Sequence, residues 1–209
     1  MLAPVLVADD HPLFRTALLQ AVRHAAPDRE IHETETLKGA LTALEAGPVG
    51  LLTLDLHMPD SEGLAGLLEV RSRFPTVPVI VVSGDTGPTV GPRAAGLGAA
   101  GFVPKSSDLS VIREAIETVL DGGVWLPDEA EETEADAALR SLTPSQLKVL
   151  LFVRDGLLNK QIAYEMQISE ATVKAHMTSV MQKLGVQTRT QAAMLARSLD
   201  VKSSQSSED

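Results

Sequence analysis

Four short apolar runs, each ending in a polar residue, constrain this chain more than any other feature. Val5-Leu6-Val7-Ala8 runs into Asp9-Asp10, Leu51-Leu52-Thr53-Leu54 into Asp55, Val77 to Val82 into Ser83, and Ala100 to Val103 into Pro104-Lys105. Runs this short, apolar without alternation, suit strands buried on both faces. Glu30 to Thr34 is a weaker strand candidate. Between these runs lie stretches with helical spacing. Leu13 to Ala26 is stopped by Pro27, Leu37 to Ala46 by Gly47-Pro48, and Leu64 to Phe74 by Pro75. Leu109 to Leu120 is entered through Asp108 as N-cap and ended by Gly122-Gly123. Strand and helix in alternation predict an α/β fold, a doubly wound five-stranded parallel sheet covered on both faces. In such sheets ligands sit beyond the carboxyl ends of the strands. Asp9, Asp10, Asp55, Ser83 and Lys105 all fall just past a strand end. Residues far apart in sequence therefore converge at one edge.

That set has a chemistry. Three carboxylates offer hard oxygens of the kind Mg²⁺ prefers, and crowded carboxylates need a cationic counter-charge. A carboxylate is also a nucleophile toward phosphorus. An ammonium and a hydroxyl alongside would offset charge on a transferring phosphoryl group. Taken singly, each residue has a plainer reading: Asp9-Asp10 as helix-capping residues, Asp55 and Ser83-Gly84 as turn residues, Lys105 as a surface lysine, Phe102 as core. Their joint order along the chain favours the phosphoryl reading. A phosphohydrolase working through an aspartyl-phosphate would carry a second Asp two residues after the nucleophile. That position is His57, so no general acid is evident and no enzyme of that kind is expected.

The net charge of −10 is unevenly spread. Residues 1–139 hold 9 Lys/Arg against 22 Asp/Glu, whereas residues 140–209 hold 9 against 6. A separate basic module can attract phosphate backbone while the rest of the chain is repelled by it. Asp128 to Asp136 is an acidic, low-complexity stretch that reads as a solvated linker or a helix end with little core to bury. Beyond it the pattern is all helical. Thr143-Pro144-Ser145-Gln146 is a capping box with proline at the first helical position. A second helix, Lys160 to Met166, is capped by Asn159; a tight turn leads to a longer helix from Glu170 to about Leu184; Thr188 to Gln191 starts a last one. Short helix, turn and longer helix form helix-turn-helix geometry, with the longer helix entering the major groove. Its exposed face carries Thr172, Lys174, His176, Thr178 and Lys183, with Lys160 and Ser169 close by in sequence.

The N-terminal pieces Ala8 to Arg15, Asp55 to Gly63, Ser83-Gly84 and Gly101 to Ser106 together resemble the receiver domain of bacterial two-component response regulators, a flavodoxin-like fold. Leu142 to Pro144, Gly156 to Ala163, Ile168 to His176, Lys183 to Val186 and Arg189 to Ala193 resemble the four-helix LuxR-type DNA-binding domain of the NarL/FixJ subfamily. The resemblance implies that Asp55 is the phosphoacceptor, with Ser83 and Lys105 sensing the phosphoryl group and Phe102 as the switch aromatic. It implies a Mg²⁺ site in which Asp10 and Asp55 are direct ligands, His57 offers its backbone carbonyl and Asp9 holds a bound water. It also implies a sensor histidine kinase and double-stranded promoter DNA as partners, RNA polymerase as a further candidate, and a homodimer. The domains expected are a receiver over 1–122, an acidic linker over 123–140, a DNA-binding domain over 141–200 and a disordered tail over 201–209.

One departure from the receiver pattern stands out. Receivers carry a regular fourth helix after the Ser/Thr strand, but Thr86 to Gly98 here contains Pro88, Gly91, Pro92, Gly96 and Gly98. A short, displaced or mobile helix is expected, and that leaves open a phosphorylation-independent DNA-binding protein whose receiver only dimerises. His57 and Asp85 fill the family's variable positions beside the phosphoryl group, where a tuning role and a structural one are equally open. The absence of cysteine, of a basic stretch before the first apolar run and of any apolar run near the roughly 20 residues that span a bilayer predicts a cytoplasmic protein with no membrane partner.

Overall fold

The computed structural model of the protein describes residues 2–85, 87–126 and 133–200. The strands β1 (Val5–Ala8), β2 (Ile31–Thr34), β3 (Leu51–Asp55), β6 (Val79–Ser83) and β7 (Gly101–Pro104) form one parallel sheet in the order β2-β1-β3-β6-β7. A two-residue antiparallel hairpin, β4 (His57–Met58) with β5 (Ser61–Glu62), follows β3. It was not expected, since two-residue strands leave no periodicity to read. Helices α1 (Pro12–Ala25) and α5 (Leu109–Leu120) cover one face of the sheet; α2 (Leu37–Ala46), α3 (Ala65–Arg73) and α4 (Val90–Gly96) cover the other. The predicted doubly wound α/β fold is what forms.

The central strands are buried along their whole length, as unalternating apolar runs require. Leu6, Leu52 and Leu54 point into the cluster shared with α2 and α3, while Val5, Val7, Leu51, Ile80 and Val82 pack with α1 and α5. Edge strand β2 is only half-buried, which explains its weak signal. Thr53 is the polar exception in β3: its hydroxyl is buried without a hydrogen-bond partner. Replacing it by the isosteric valine removes an unsatisfied group, so Thr53→Val is expected to stabilise the fold by about 1 kcal/mol in a denaturant titration.

Helix α4 has seven residues, short as the sequence suggested. Its physical account is simple. Thr89 is the N-cap, so Pro92 is the third helical residue, and its missing N–H falls among those with no partner inside the helix. The acidic stretch departs more from expectation. Residues 127–132 lie outside the described residues, but Glu134–Arg140 forms a further helix, α6, and it is not simply solvated. Thr133 caps it by accepting from the Asp136 N–H, and Asp136 and Leu139 are buried. The tail, 201–209, lies outside the described residues.

The remaining helices are α7 (Pro144–Arg154), α8 (Asn159–Met166), α9 (Glu170–Lys183) and α10 (Arg189–Arg197). Both predicted capping boxes form, Thr143 with Gln146 and Thr188 with Gln191. The cap of α8 is corrected by one residue: Leu158 is the N-cap, its N–H donated to the Gln161 side chain at 2.7 Å. Asn159 instead accepts from Arg189, tying α8 to α10. Gln167 makes the tight turn in the left-handed conformation, φ 54°.

The helical unit leans on the receiver-like one. Helix α7 packs on α3, and the Leu64 N–H donates to the Leu199 carbonyl at 2.8 Å. Arg93 of α4 donates to the Ser198 carbonyl and lies 3.7 Å from the Asp136 carboxylate. Asp136 fits there because Gly96 has no side chain: a Cβ would stand 3.1 Å from Asp136 Oδ2.

Candidate functional site

The register of the parallel sheet places the site. Asp55 ends β3 and pairs with Val82, one residue before Ser83; Ser83 pairs with Pro104, one residue before Lys105. A backbone bond from the Lys105 N–H to the Ser83 carbonyl, 2.7 Å, fixes that last pair. Asp9 follows β1, its N–H donated to Thr34 of β2. All five expected polar residues are thus brought to one edge by strand ends alone.

Asp9 and Asp55 are fully or nearly fully buried, and Asp10 is part-exposed. The Lys105 ammonium lies 2.6 Å from Asp55 Oδ2, 2.7 Å from Asp9 Oδ2 and 4.9 Å from the centre of the Phe14 ring. Asp9 Oδ2 and Asp10 Oδ1 are within ion-pair distance of Lys105 and His11 respectively, yet neither accepts a well-directed hydrogen bond. Carboxylate oxygens of Asp9, Asp10 and Asp55, with a ring nitrogen of His11, lie within 4.8 Å of one another. Under-coordinated buried oxygens in a hard-donor cluster fit a divalent cation such as Mg²⁺.

Burial pushes the Asp55 carboxyl above the ordinary carboxylate range, against the hydrogen bond and charge of Lys105 and the His57 N–H; the nearby Asp9 charge adds to the rise. Its folded state therefore holds a proton more tightly than the unfolded chain does. That stability is complete below the ordinary carboxylate pKa and lost as pH rises through the raised one. Above that raised pKa the ionised Asp55 costs stability in metal-free protein. A rise in melting temperature on adding Mg²⁺ is accordingly expected to be largest near neutrality and to shrink on acidification through the Asp55 pKa.

Around this core the structure adds residues that the sequence did not assign. His11 Nδ1 lies 2.7 Å from Asp10 Oδ1 and 3.4 Å from Asp55 Oδ2; its place directly after Asp9-Asp10 was the available signal. Arg15 donates to the Asp9 carbonyl at 2.8 Å and pairs with Glu33 and Glu35, steadying the loop after β1. Asp60 accepts the Leu37 and Lys38 N–H groups, both at 2.8 Å, and so ties the β4–β5 hairpin to the start of α2. His57 Nε2 and Asp85 Oδ2 are 2.5 Å apart. Phe102 is buried in β7. A cavity of about 680 Å³ opens beside the site, lined by Asp10, His11, His57, Glu62 and, from α7, Leu151 and Arg154.

In the helical unit, Val173, Met177 and Val180 turn α9 into its core. Thr172, Lys174 and Thr178 are exposed on the opposite side, as are Lys160 and Ser169; His176 is half-buried. Ser169 caps α9 by accepting from the Thr172 N–H at 3.1 Å. Lys183 is exposed but engaged, donating to the Ser141 carbonyl and to Gln146 Oε1, so its ammonium also anchors α9 to the start of α7.

Residues 5–117 match the family described as response regulator receiver domain, and residues 140–196 match the bacterial regulatory proteins of the luxR family. A glycerol metabolism activator from Pseudomonas putida is 39% identical, covering 94% of this chain and 96% of its own. A nitrate/nitrite response regulator protein homolog from Haemophilus influenzae is 31% identical, over 91% and 94%. RcsB from Salmonella enterica serovar Typhimurium, solved bound to a promoter with the phosphomimetic BeF3⁻, shares the fold at a TM-score of 0.57 and 22% identity, over 94% and 98% of the two chains. No helix among the described residues is long and apolar enough to cross a membrane. A parallel sheet with an acidic edge, followed by a helix-turn-helix unit, together with these matches along nearly the whole chain, shows that the protein belongs to the response regulators that join a receiver domain to a luxR-type DNA-binding domain.

Proposed function

We propose that this response regulator accepts a phosphoryl group on Asp55 from a sensor histidine kinase and, as a homodimer, binds promoter DNA through α9, acting in the cytoplasm. The observation that carries the reading is the convergence at the sheet edge of Asp9 and Asp55, each in an ion pair with Lys105, and of Asp10, whose carboxylate lies within 4.8 Å of theirs. An Asp55 oxygen attacks phosphorus as the donor's P–N bond breaks, and the donor imidazole leaves with its electron pair. Lys105 already touches Asp55 and would meet the incoming phosphoryl oxygens; Ser83 lies one strand away to donate its hydroxyl. Asp10 and Asp55 would hold Mg²⁺ through their carboxylates, His57 through its carbonyl and Asp9 through a water. Bound there, the ion supplies charge neutralisation for the transferring group. The receiver promotes only this transfer and its own dephosphorylation. We assign it residues 1–122, with 123–140 as linker and 141–200 as the DNA-binding domain.

Thr172, Lys174, His176 and Thr178 supply base and phosphate contacts, with Lys160, Ser169 and Lys183 at the flanks. Phe102 follows Ser83 as the switch aromatic, and RNA polymerase is a further partner at the promoter. Phosphorylation is expected to tighten operator binding at fixed salt, measured by gel shift or anisotropy. Equal affinities with and without phosphorylation would instead favour a receiver used only for dimerisation. Lys174→Ala is expected to weaken binding and to lower the salt slope of log K by about one if the residue meets a phosphate.

A further inference from the structure

His11 has a place in the acidic cluster but no part in the phosphoryl chemistry above. It follows Asp9-Asp10 in the loop between β1 and α1, and its backbone N–H donates to Asp9 Oδ1 at 2.8 Å, a bond that does not depend on the side chain. Although the side chain is more than half exposed, its Nδ1 lies 2.7 Å from Asp10 Oδ1, 3.4 Å from Asp55 Oδ2 and 3.3 Å from the Lys105 ammonium. At 2.7 Å a bond to Asp10 would be a strong one, yet none forms: Asp10 Oδ1 is buried without a hydrogen-bond partner. Whether Nδ1 carries a hydrogen or a lone pair, it points along one axis in the ring plane. That axis therefore passes by the Asp10 oxygen. Neighbouring ligands of an octahedral ion stand in this way. With bonds of about 2.1 Å they lie about 3 Å apart, each aimed at the ion and not at the other. The Lys105 ammonium, in reach of Asp9, Asp55 and His11 together, shows that the ring nitrogen shares a face with the carboxylates on which positive charge settles.

We propose that the His11 imidazole is a ligand in the cation site, beside the carboxylates of Asp10 and Asp55, and that it makes the site select first-row ions that take nitrogen, such as Co²⁺, over Mg²⁺. The inference rests on the cation site read above. A hard ion such as Mg²⁺ gains little from an imidazole, because water serves it as well; Co²⁺ gains a stronger bond. The side chain of His11 then sets which class of metal loads the receiver, while the carboxylates set that a metal binds at all.

The test titrates the full chain with Co²⁺ or Mg²⁺ in a calorimeter and repeats the Co²⁺ titration with Mg²⁺ present, where the apparent Co²⁺ affinity should fall because the two ions share one site. Losing a ligand should cost at least what losing a ligand's own hydrogen-bond partner does, about tenfold. In His11→Ala the ratio of Co²⁺ to Mg²⁺ affinity is accordingly expected to fall about tenfold. Proton NMR of the Co²⁺ complex gives a direct signature, since ring protons of a ligated imidazole are displaced far beyond the ordinary range. Those signals should be present in wild type and missing from His11→Ala. A merely structural role would weaken both ions alike and leave the ratio where it was. An unchanged ratio, ring-proton signals that persist in His11→Ala, or Co²⁺ binding that Mg²⁺ does not compete with would each overturn the inference. Asp10→Asn checks the site itself and should weaken both ions. If it does so while His11→Ala leaves the ratio unchanged, only the His11 ligand is lost; wild-type binding of both ions to Asp10→Asn would remove the cation site and the inference together.

Discussion

Asp55→Asn is expected to take up no phosphate at all. After incubation with a small acyl phosphate and Mg²⁺, wild-type protein should carry one acid-labile phosphate per chain and the variant none. The substitution keeps the volume and the backbone of β3 and replaces an ionisable oxygen with an amide, which is no nucleophile toward phosphorus. Lys105 retains Asp9 as an ion-pair partner, so the site should not collapse. One equivalent of acid-labile phosphate on the variant would move the acceptor to Asp9 or Asp10. The same variant removes a buried carboxylate whose pKa burial raises. In metal-free protein at neutral pH its melting temperature is therefore expected to exceed that of wild type, and the difference should disappear on acidification.

Leu54→Ala is expected to give the largest loss of stability, about 3 kcal/mol. Leu54 is 1% exposed, lies in the central strand of the sheet, and packs into the cluster shared with α2 and α3. Little can relax around it, because β1 and β6 hold β3 from both sides. Urea unfolding measures the loss as a lower midpoint at unchanged slope. The neighbouring Asp55 depends on that strand for its place, so phosphate uptake should fall as well. A loss under about 1 kcal/mol would mean that the strand is less tightly packed than its burial indicates.

The strands that place the acidic residues were legible because both faces of each are covered, which leaves unalternating apolar runs with a polar residue at the exit. The capping boxes at Thr143 and Thr188 were legible because the motif is local: the same few residues write it and form it. What escaped was set by distant partners. Asp128 to Asp136 read as a solvated linker or a helix end with little core to bury, yet Asp136 is buried where Gly96 leaves room and Arg93 stands near. Asn159 has the chemistry of an N-cap, but Arg189 claims its oxygen and the helix starts one residue earlier than expected. His57 and Asp85 were placed beside the phosphoryl position, but a bond between side chains 28 residues apart cannot be read from spacing. Lys183 looked like any lysine on an exposed helix face until Ser141 and Gln146 appeared beneath it.

The chain has one tryptophan, Trp125, and it joins the sheet beside the buried aromatic of β7. Its N–H donates to the Ala100 carbonyl, and its carbonyl accepts the Phe102 N–H at 2.8 Å. Its indole is therefore a single built-in fluorophore on a residue bonded through its backbone to the strand that carries Phe102 and leads to Lys105. A rearrangement of that strand on phosphorylation should change its emission, so intrinsic fluorescence can follow the receiver in real time, with no label and no second tryptophan to confuse the signal.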